Sequence, residues 1–277
     1  MARGTPLRWA GVVITGAGSG IGRLLMLDCA ARGARVVGWD KDGEAVEAVA
    51  AEARAAGGRA WAYAVDVTDR DQVAKAAAWT KETIERVDVV VNNAGVVTGH
   101  RLIEASDDEI ERTFAVNTLA LFWVTKAFLP DLLERNHGCI VTVASAAGLM
   151  GVARLTDYSA SKFAAVGFTE SLRAELRAAK SAVRTVTVTP YYIDTGMFDG
   201  VRTKFPLVLP ILQPQDVADR IVAAIEGGKG WVAMPPLVRM LPAMRILPVR
   251  LFDAVAEFFG VNRTMDHFTG RLPADKD

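Results

Sequence analysis

Tyr158 and Lys162 stand four residues apart in Asp157-Tyr158-Ser159-Ala160-Ser161-Lys162. On a helix that spacing puts a phenol and an ammonium on one face, one turn apart. Such a pair exchanges a proton near neutral pH only if the phenol becomes far more acidic than usual. Bringing its pKa from ~10 to ~7 takes about 4 kcal/mol, and one nearby cation supplies only ~1–3 units. Lys162 alone is therefore not enough, and a second positive group is needed. The same spacing occurs in many helices as a half-buried phenol beside a snorkelling lysine, so its weight depends on its company. Ser145 follows the apolar run Cys139-Ile140-Val141-Thr142-Val143, and Asn117 lies in a helical stretch among apolar neighbours. A buried amide costs stability unless it is satisfied, so Asn117 has a local task. His100 and His137 fall in loops with no nucleophile beside them and read as solvated.

The elements that must position these groups begin at Val12-Val13-Ile14-Thr15, which runs into Gly16, Gly20 and Gly22 and then an amphipathic segment, Ile21 to Arg32. That is strand, tight turn, helix, with the glycines spaced G-x-x-x-G-x-G. Without a Cβ the turn lets a diphosphate come close, and the N-terminus of the following helix stabilises the anion. Arg35-Val36-Val37-Gly38-Trp39 reads as a second strand ending in Asp40, 18 residues past Gly22. A carboxylate about 20 residues on is expected to accept from an adenosine ribose; otherwise it caps the next helix. On the ribose it would repel a 2′-phosphate and favour NAD over NADP, while Arg23 and Lys41 are cations able to pull the other way.

Asp42 to Ala56 is helical and ends at Gly57-Gly58; a strand from Arg59 to Val65 then delivers Asp66-Val67. Asp66 is placed to bind an adenine amino group or to cap the helix running from Asp69 to Glu85, two roles that are compatible. Val87 to Val91 is a continuous apolar run, as a strand covered on both faces should be. It ends in Asn92-Asn93-Ala94-Gly95, at the rim where open α/β sheets bind ligands. Ser106 and Glu109 form a capping box for a long helix towards Asn136, with a break expected at Pro130. Helix Asp157–Lys180, strand Val183–Thr189, helix Gln215–Glu226 and strand Trp231–Ala233 complete the alternation. The pattern predicts a single-domain α/β fold over 1–277, a doubly wound parallel sheet with helices on both faces.

The 277 residues are 51% hydrophobic, enough for a large core, and Lys plus Arg equal Asp plus Glu at 32 each. With no basic patch interleaved with aromatics, nucleic acid is not an expected partner. Cys29 and Cys139 are far apart and belong to no metal-spaced cluster, so buried free thiols in a reducing compartment are expected and no metal site. Arg3 and Arg8 precede an uncharged stretch that superficially resembles a secretion signal; cleavage there would destroy the Gly-rich turn, so the stretch is read as the first strand. No run of ~18 uncharged apolar residues occurs and no transmembrane helix is predicted. A cytoplasmic location is expected.

Thr15-Gly-Ala-Gly-Ser-Gly-Ile-Gly22, Asn92-Asn-Ala-Gly95, Asn117, Ser145 and Tyr158-x-x-x-Lys162 together resemble the short-chain dehydrogenase/reductase family, in order, gaps and length, over roughly residues 8 to 235. The resemblance implies a Rossmann fold with Tyr158 as general acid/base, Ser145 orienting the substrate oxygen, Lys162 on the nicotinamide ribose and Asn117 anchoring a water in a proton relay. It also implies NAD held by Gly16, Ser19, Gly20, Ile21, Gly22, Asp40, Asp66, Val67, Asn93, Ala94, Gly95, Tyr158, Lys162, Pro190, Ile193 and Thr195. The positive ring of the oxidised nicotinamide would then be the second cation beside Tyr158. One departure is Pro190-Tyr191, where the family usually carries Pro-Gly; Thr195 still matches the threonine expected on the carboxamide.

Residues 191–214 are aromatic, apolar and proline-broken, with Met197, Phe198, Phe205, Pro206, Leu207 and Pro210. They fit a lid over a lipophilic alcohol or ketone, since a polyol needs a more polar lining; the plainer alternative is packing on the core or a partner subunit. The extension 235–277 is punctuated by Pro236, Pro242 and Pro248, with Arg239, Arg245 and Arg250 among apolar residues and an apolar helix from Leu251 to Phe259. A peripheral membrane contact, a subunit interface and a flap over the substrate mouth all remain open. Asp194-Thr195-Gly196-Met197-Phe198 and the ending from Phe258 to Phe268 resemble the retinol and hydroxysteroid dehydrogenase branch, whose N-terminal anchor is not expected here. The expectation is an NAD-dependent oxidoreductase acting on a lipophilic alcohol, as a homodimer or homotetramer through the helices around Asn117 and Tyr158. The alternatives are an NADPH-dependent reductase of acyl thioester ketones and a non-catalytic dinucleotide-sensing scaffold, against which the intact Asn117, Ser145, Tyr158 and Lys162 set argues.

Overall fold

Val12, Ile14, Val36, Val89, Val91, Val141, Val186 and Val188 turn one way from their strands, and Val13, Val37, Val90 and Ile140 the other. Alternating side chains on apolar strands give a sheet two faces, both of which must be covered. The computed structural model describes residues 4–270, so Arg3 and 271–277 of the extension lie outside the described residues. Its strands are β1 (Gly11–Thr15), β2 (Arg35–Asp40), β3 (Arg59–Ala64), β4 (Val89–Asn92), β5 (Cys139–Val143), β6 (Arg184–Pro190) and β7 (Trp231–Met234). All six pairings are parallel, in the order β3-β2-β1-β4-β5-β6-β7. Helices α1 (Gly20–Ala31), α2 (Gly43–Ala55) and α7 (Pro214–Gly227) cover one face. On the other lie α3 (Arg70–Ile84), α5 (Ala120–Glu134) and α6 (Thr156–Ala178), with α4 (Asp107–Phe114) packed on α6. The strand order reverses between β1 and β4, which opens a crevice at their carboxyl ends.

The caps decide two alternatives left open by the sequence. Asp42, not Asp40, caps α2, accepting from Ala45 N at 3.0 Å. Asp69 caps α3 through Asp71 N and Gln72 N, which frees Asp40 and Asp66 from those tasks. The Ser106–Glu109 capping box forms at α4.

The expected break at Pro130 is not found: Pro130 sits inside α5. Its lost N–H is tolerated because Phe128 and Leu132, on either side, are anchored in the core. The interruption instead comes earlier, as a π-turn over Ala115–Leu119 centred on Asn117. Asp107–Glu134 as a whole is long and apolar enough, by length and composition, to cross a membrane. Lys126 and Asp131 kept it from reading as an uncharged run. Its Val124, Phe128 and Leu132 are spent on the sheet.

After β7 come α8 (Leu241–Met244) and α9 (Val249–Phe258), joined by short 3-10 turns. The tail forms its own small core with the turn after β5: Ala146 and Met150 pack with Val238, Leu241, Ala256 and Val261.

Candidate active site

Gly16 and Gly20 take φ of +66° and +55°, the left-handed region that favours glycine. A Cβ on Gly16 would stand 2.9 Å from Ala94 Cα, and one on Gly22 would stand 2.0 Å from Gly16 O. The turn is therefore closed against side chains and shaped by its neighbours. Asn93 holds it in place: its Nδ2 donates to Thr15 O at 2.9 Å and Gly16 O at 3.1 Å. Thr15 returns the tie, its Oγ1 accepting from Asn93 N and Ala94 N, both at 3.0 Å. Thr15 is a positioning residue the sequence reading passed over; a polar residue at the end of an apolar strand was the available signal. Ser19, in extended backbone, begins α1, and Ile21 and Gly22 follow in its first turn.

Asp40 is the strand-end acid the spacing predicted. Its Oδ2 accepts from Gly18 N at 2.9 Å and its Oδ1 from Asp42 N at 3.1 Å, so the carboxylate is fixed at the edge of the crevice. Arg23, one of the two cations weighed against it, is instead bound to both oxygens of Glu52 at 2.7 Å. Lys41 remains on the cavity wall beside Asp40. Asp66 folds back on Thr68, accepting from its N and Oγ1 at 2.9 and 2.7 Å, and with Val67 lines the same cavity.

Tyr158 and Lys162 lie in the first two turns of α6, both about one-twentieth exposed. Burial pushes the Tyr158 phenol up, opposed by its hydrogen bond with Ser145. Ser145, at the end of the β5 loop, also accepts from Ala147 N at 3.1 Å, which fixes its rotamer. Lys162 Nζ donates to Val143 O at 3.0 Å and stands 5.6 Å from the Tyr158 ring centroid. Desolvation lowers the ammonium to about 8. Lys162 thus sits beside the phenol ring, and Ser145 lines the same stretch of cavity wall.

Asn117 meets the local need its burial implied. Its Oδ1 accepts from Val96 N at 2.8 Å, and its Nδ2 donates to Val96 O at 2.9 Å and Ser161 Oγ at 3.0 Å. The side-chain amide therefore clamps the strand-end loop after Asn93-Ala94-Gly95 onto α6. Beside Tyr158 the structure adds Asp157, a buried carboxylate that accepts from Thr98 Oγ1 at 2.9 Å and Thr113 Oγ1 at 2.9 Å. It ties the same loop to α4. The sequence reading missed it; adjacency to Tyr158 was the only signal.

The lid and the tail, separate in the sequence, are joined in space. Leu212 N donates to Tyr192 O at 2.8 Å and Asp194 N to Leu212 O at 3.0 Å, closing the neck of the 193–212 segment. Arg202 N donates to Thr264 O at 3.1 Å, Thr269 N to Asp199 O at 2.9 Å, and Lys204 Nζ to Phe258 O at 3.0 Å. Phe205 stacks on Phe258 with centroids 5.6 Å apart. Phe198 meets the Tyr158 ring edge-on at 5.7 Å. Tyr191, in place of the family glycine, packs its ring against the core of Ala146, Met150 and Leu241 and edge-on to Tyr192. Its bulk is taken up by the tail.

These parts enclose one continuous cavity of about 790 Å³. One end is walled by Gly16, Gly20, Asp40, Asp66 and Val67, the middle by Tyr158, Lys162, Pro190, Ile193 and Thr195, and the other end by Met150, Leu155, Leu241, Phe252 and Phe259. A dinucleotide fits the first two parts: the turn has no room for a Cβ at Gly16 or Gly22, the Asp40 carboxylate is held at the cavity edge, and the buried Lys162 ammonium lies beyond. No group of His, Cys, Asp and Glu suited to a metal occurs among the described residues.

Residues 10–205 match the family described as short chain dehydrogenase. Epidermal retinol dehydrogenase 2 of Mus musculus is 42% identical over 263 residues, spanning 94% of this chain and 85% of that one. Retinol dehydrogenase 10 of Homo sapiens is 41% identical over 285 residues, 92% and 84% of the two chains. Among solved structures, a short chain dehydrogenase/reductase from Burkholderia phymatum in complex with NAD superposes with a TM-score of 0.81 at 28% identity, over 89% of this chain and 96% of that one. A metagenomic short-chain oxidoreductase in complex with NADP gives 0.69 at 31% identity, over 83% and 96%.

Proposed function

The chain belongs to the short-chain dehydrogenase/reductase family, and from that premise we propose that it interconverts a lipophilic alcohol and its carbonyl compound with NAD. The observation that carries this reading is the buried Tyr158, with Lys162 beside its ring and Ser145 on the same wall, on the floor of a cavity with a polar, glycine-walled end and an aromatic and aliphatic one. When bound, the nicotinamide dinucleotide supplies the hydride acceptor for oxidation and the donor for reduction.

The protein's own groups handle the proton and the geometry. Tyr158 takes the hydroxyl proton at its phenolic oxygen during oxidation and returns it during reduction. Ser145 Oγ donates to the same substrate oxygen and fixes its distance from the phenol. Lys162 holds the ribose and adds positive charge, yet burial still leaves the phenol above its ordinary value. The further acidification belongs to the loaded site, in keeping with the need for a second cation. Phe198 and the tail exclude water from the reacting oxygen. Asn117 and Asp157 act one step back, holding the 95–98 loop against α6.

Asp40 supports NAD over NADP, because a 2′-phosphate would be brought against a fixed carboxylate. The names of the relatives point to retinoids, and a long apolar alcohol suits the walls at Met150, Leu241 and Phe252. Leu119, Phe122 and Leu133 are exposed on one side of the π-turn and α5, with Phe122 edge-on to Phe168 of α6 at 4.8 Å; we infer that two copies pair there. Cys29 and Cys139 are buried thiols pushed up to about 12 and about 11 by burial, which suits a cytoplasmic setting. The test is a panel of retinoids, steroids, long-chain alcohols and sugars with NAD, following absorbance of the reduced dinucleotide. Turnover is expected with the lipophilic alcohols; turnover of sugars alone would overturn the reading.

A further inference from the structure

The cap made by lid and tail has two apolar sides, and the described residues cover one of them. On α9, Phe252, Val255, Ala256 and Phe259 recur at helical spacing and face the cavity or its core. Leu251, Ala254 and Phe258 come next around the same helix and are exposed. The apolar arc of α9 therefore spans about 200°, twice what packing uses. Eight of the fourteen large hydrophobic side chains exposed among the described residues lie between Leu207 and Phe258. Leu207, Ile246 and Val249 are 101%, 86% and 74% exposed. The stacked Phe205 and Phe258 rings bring the Leu207 loop against the end of α9, so Leu207 lies beside the exposed Leu251–Ala254–Phe258 arc.

Charge says what suits this side. Residues 235–252 contain Arg239, Arg245 and Arg250 and no acidic residue; the acids of α9, Asp253 and Glu257, follow on its polar side, Glu257 paired with Arg263 at 3.0 Å. Arg245 is directed inward, towards Leu149 O at 3.4 Å and over the Phe163 ring at 4.9 Å; Arg239 and Arg250 are exposed at the border of the apolar set. A second copy binding here by a two-fold axis would set this arginine-edged surface against itself. An anionic bilayer meets both features at once, apolar interior and phosphate border.

We propose that the outer side of the cap docks on an anionic phospholipid bilayer, with Leu207, Leu251 and Phe258 in the interfacial layer and Arg239 and Arg250 on lipid phosphates. Leu237, Val238 and Leu241, on the inner side of the same segment, line the cavity. A lipophilic substrate dissolved in the bilayer would thus reach Tyr158 without crossing bulk water. That corollary rests on the proposed substrate class; the docking does not.

The experiment is co-sedimentation of the full chain with vesicles of phosphatidylcholine alone and of phosphatidylcholine mixed with phosphatidylserine. The protein is expected to pellet with the mixed vesicles and to be released by high salt. Leu207→Asp and Leu251→Asp combined should weaken partitioning at least ~10-fold on both compositions. Arg239→Gln with Arg250→Gln should weaken it about fivefold per arginine, and only on the mixed vesicles. Unchanged thermal melting and dinucleotide binding confirm that the variants are folded. The proposal is overturned if the wild type stays in the supernatant with every vesicle, if the folded variants pellet as it does, or if the substitutions change its solution mass instead. No readout uses turnover, so a failure here is distinct from a failure of the proposed reaction.

Discussion

Asp40→Asn isolates the charge that should choose between the two dinucleotides. The amide keeps an oxygen for Gly18 N, which now donates to Asp40 Oδ2 at 2.9 Å, and gives up the longer bond from the exposed Asp42 N at 3.1 Å, so the glycine turn keeps its tie while the negative charge goes. A 2′-phosphate seated at the ribose would lie roughly 5 Å from this carboxylate. With an effective dielectric of ~40 at a half-open site, each unit of phosphate charge costs about 1.7 kcal/mol. A phosphate carrying about −1.5 to −2 charges therefore costs about 3 kcal/mol, or roughly a hundredfold in affinity. Initial rates over a range of NAD and NADP concentrations give kcat/KM for each. The wild type should prefer NAD, and Asp40→Asn should move the ratio ~10–100-fold towards NADP through the NADP value. A wild type that uses NADP equally well, or a ratio that stays put in Asp40→Asn, would refute this electrostatic argument.

Asn117→Ala removes both partners of Val96 and the donor to Ser161 Oγ, and each group left unsatisfied costs about 1–3 kcal/mol. Urea unfolding should show a loss of ~2–4 kcal/mol, with kcat falling as well; unchanged stability would mean the clamp on the 95–98 loop is not stabilising. Lys162 titrates at about 8 in the folded dinucleotide-free protein because desolvation pulls it down from 10.5. Between those values the unfolded chain holds a proton that the folded chain has released, so the folded state gains stability as pH rises through the window. Lys162→Met should therefore be more stable than the wild type at pH ~7, by on the order of 3 kcal/mol, and the gap should close towards pH ~10. Thermal melts of both proteins across that range check the sign; a gap that widens with pH contradicts the burial argument.

Most of the scaffold was legible because β1, β2, β4, β5 and β6 are short runs rich in β-branched residues closed by a turn or a polar residue, and α2, α3 and α4 carry side-chain caps. The switch-point crevice followed from strand order, and Asp40 and Tyr158-x-x-x-Lys162 were readable by spacing because both partners lie within one or two elements. What escaped the sequence is contact over long separations. Asn117 finds Val96 and Ser161, 21 and 44 residues away, and only the fold brings them together. Pro130 looked like a helix stop because local rules ignore the core that holds Phe128 and Leu132 on either side. The lid and tail were read as two features, since the ties of Arg202 to Thr264 and Lys204 to Phe258 leave no periodic mark.

The most direct measurement is single-turnover oxidation of a long-chain or retinoid alcohol by Tyr158→Phe, with NAD binding followed on the same sample. Deleting one oxygen should lower the rate by ~10²–10⁴ while NAD affinity holds, because Lys162, Asp40 and the glycine turn are untouched. Turnover at the wild-type rate with NAD bound would contradict the central claim that the phenolic oxygen of Tyr158 carries the proton.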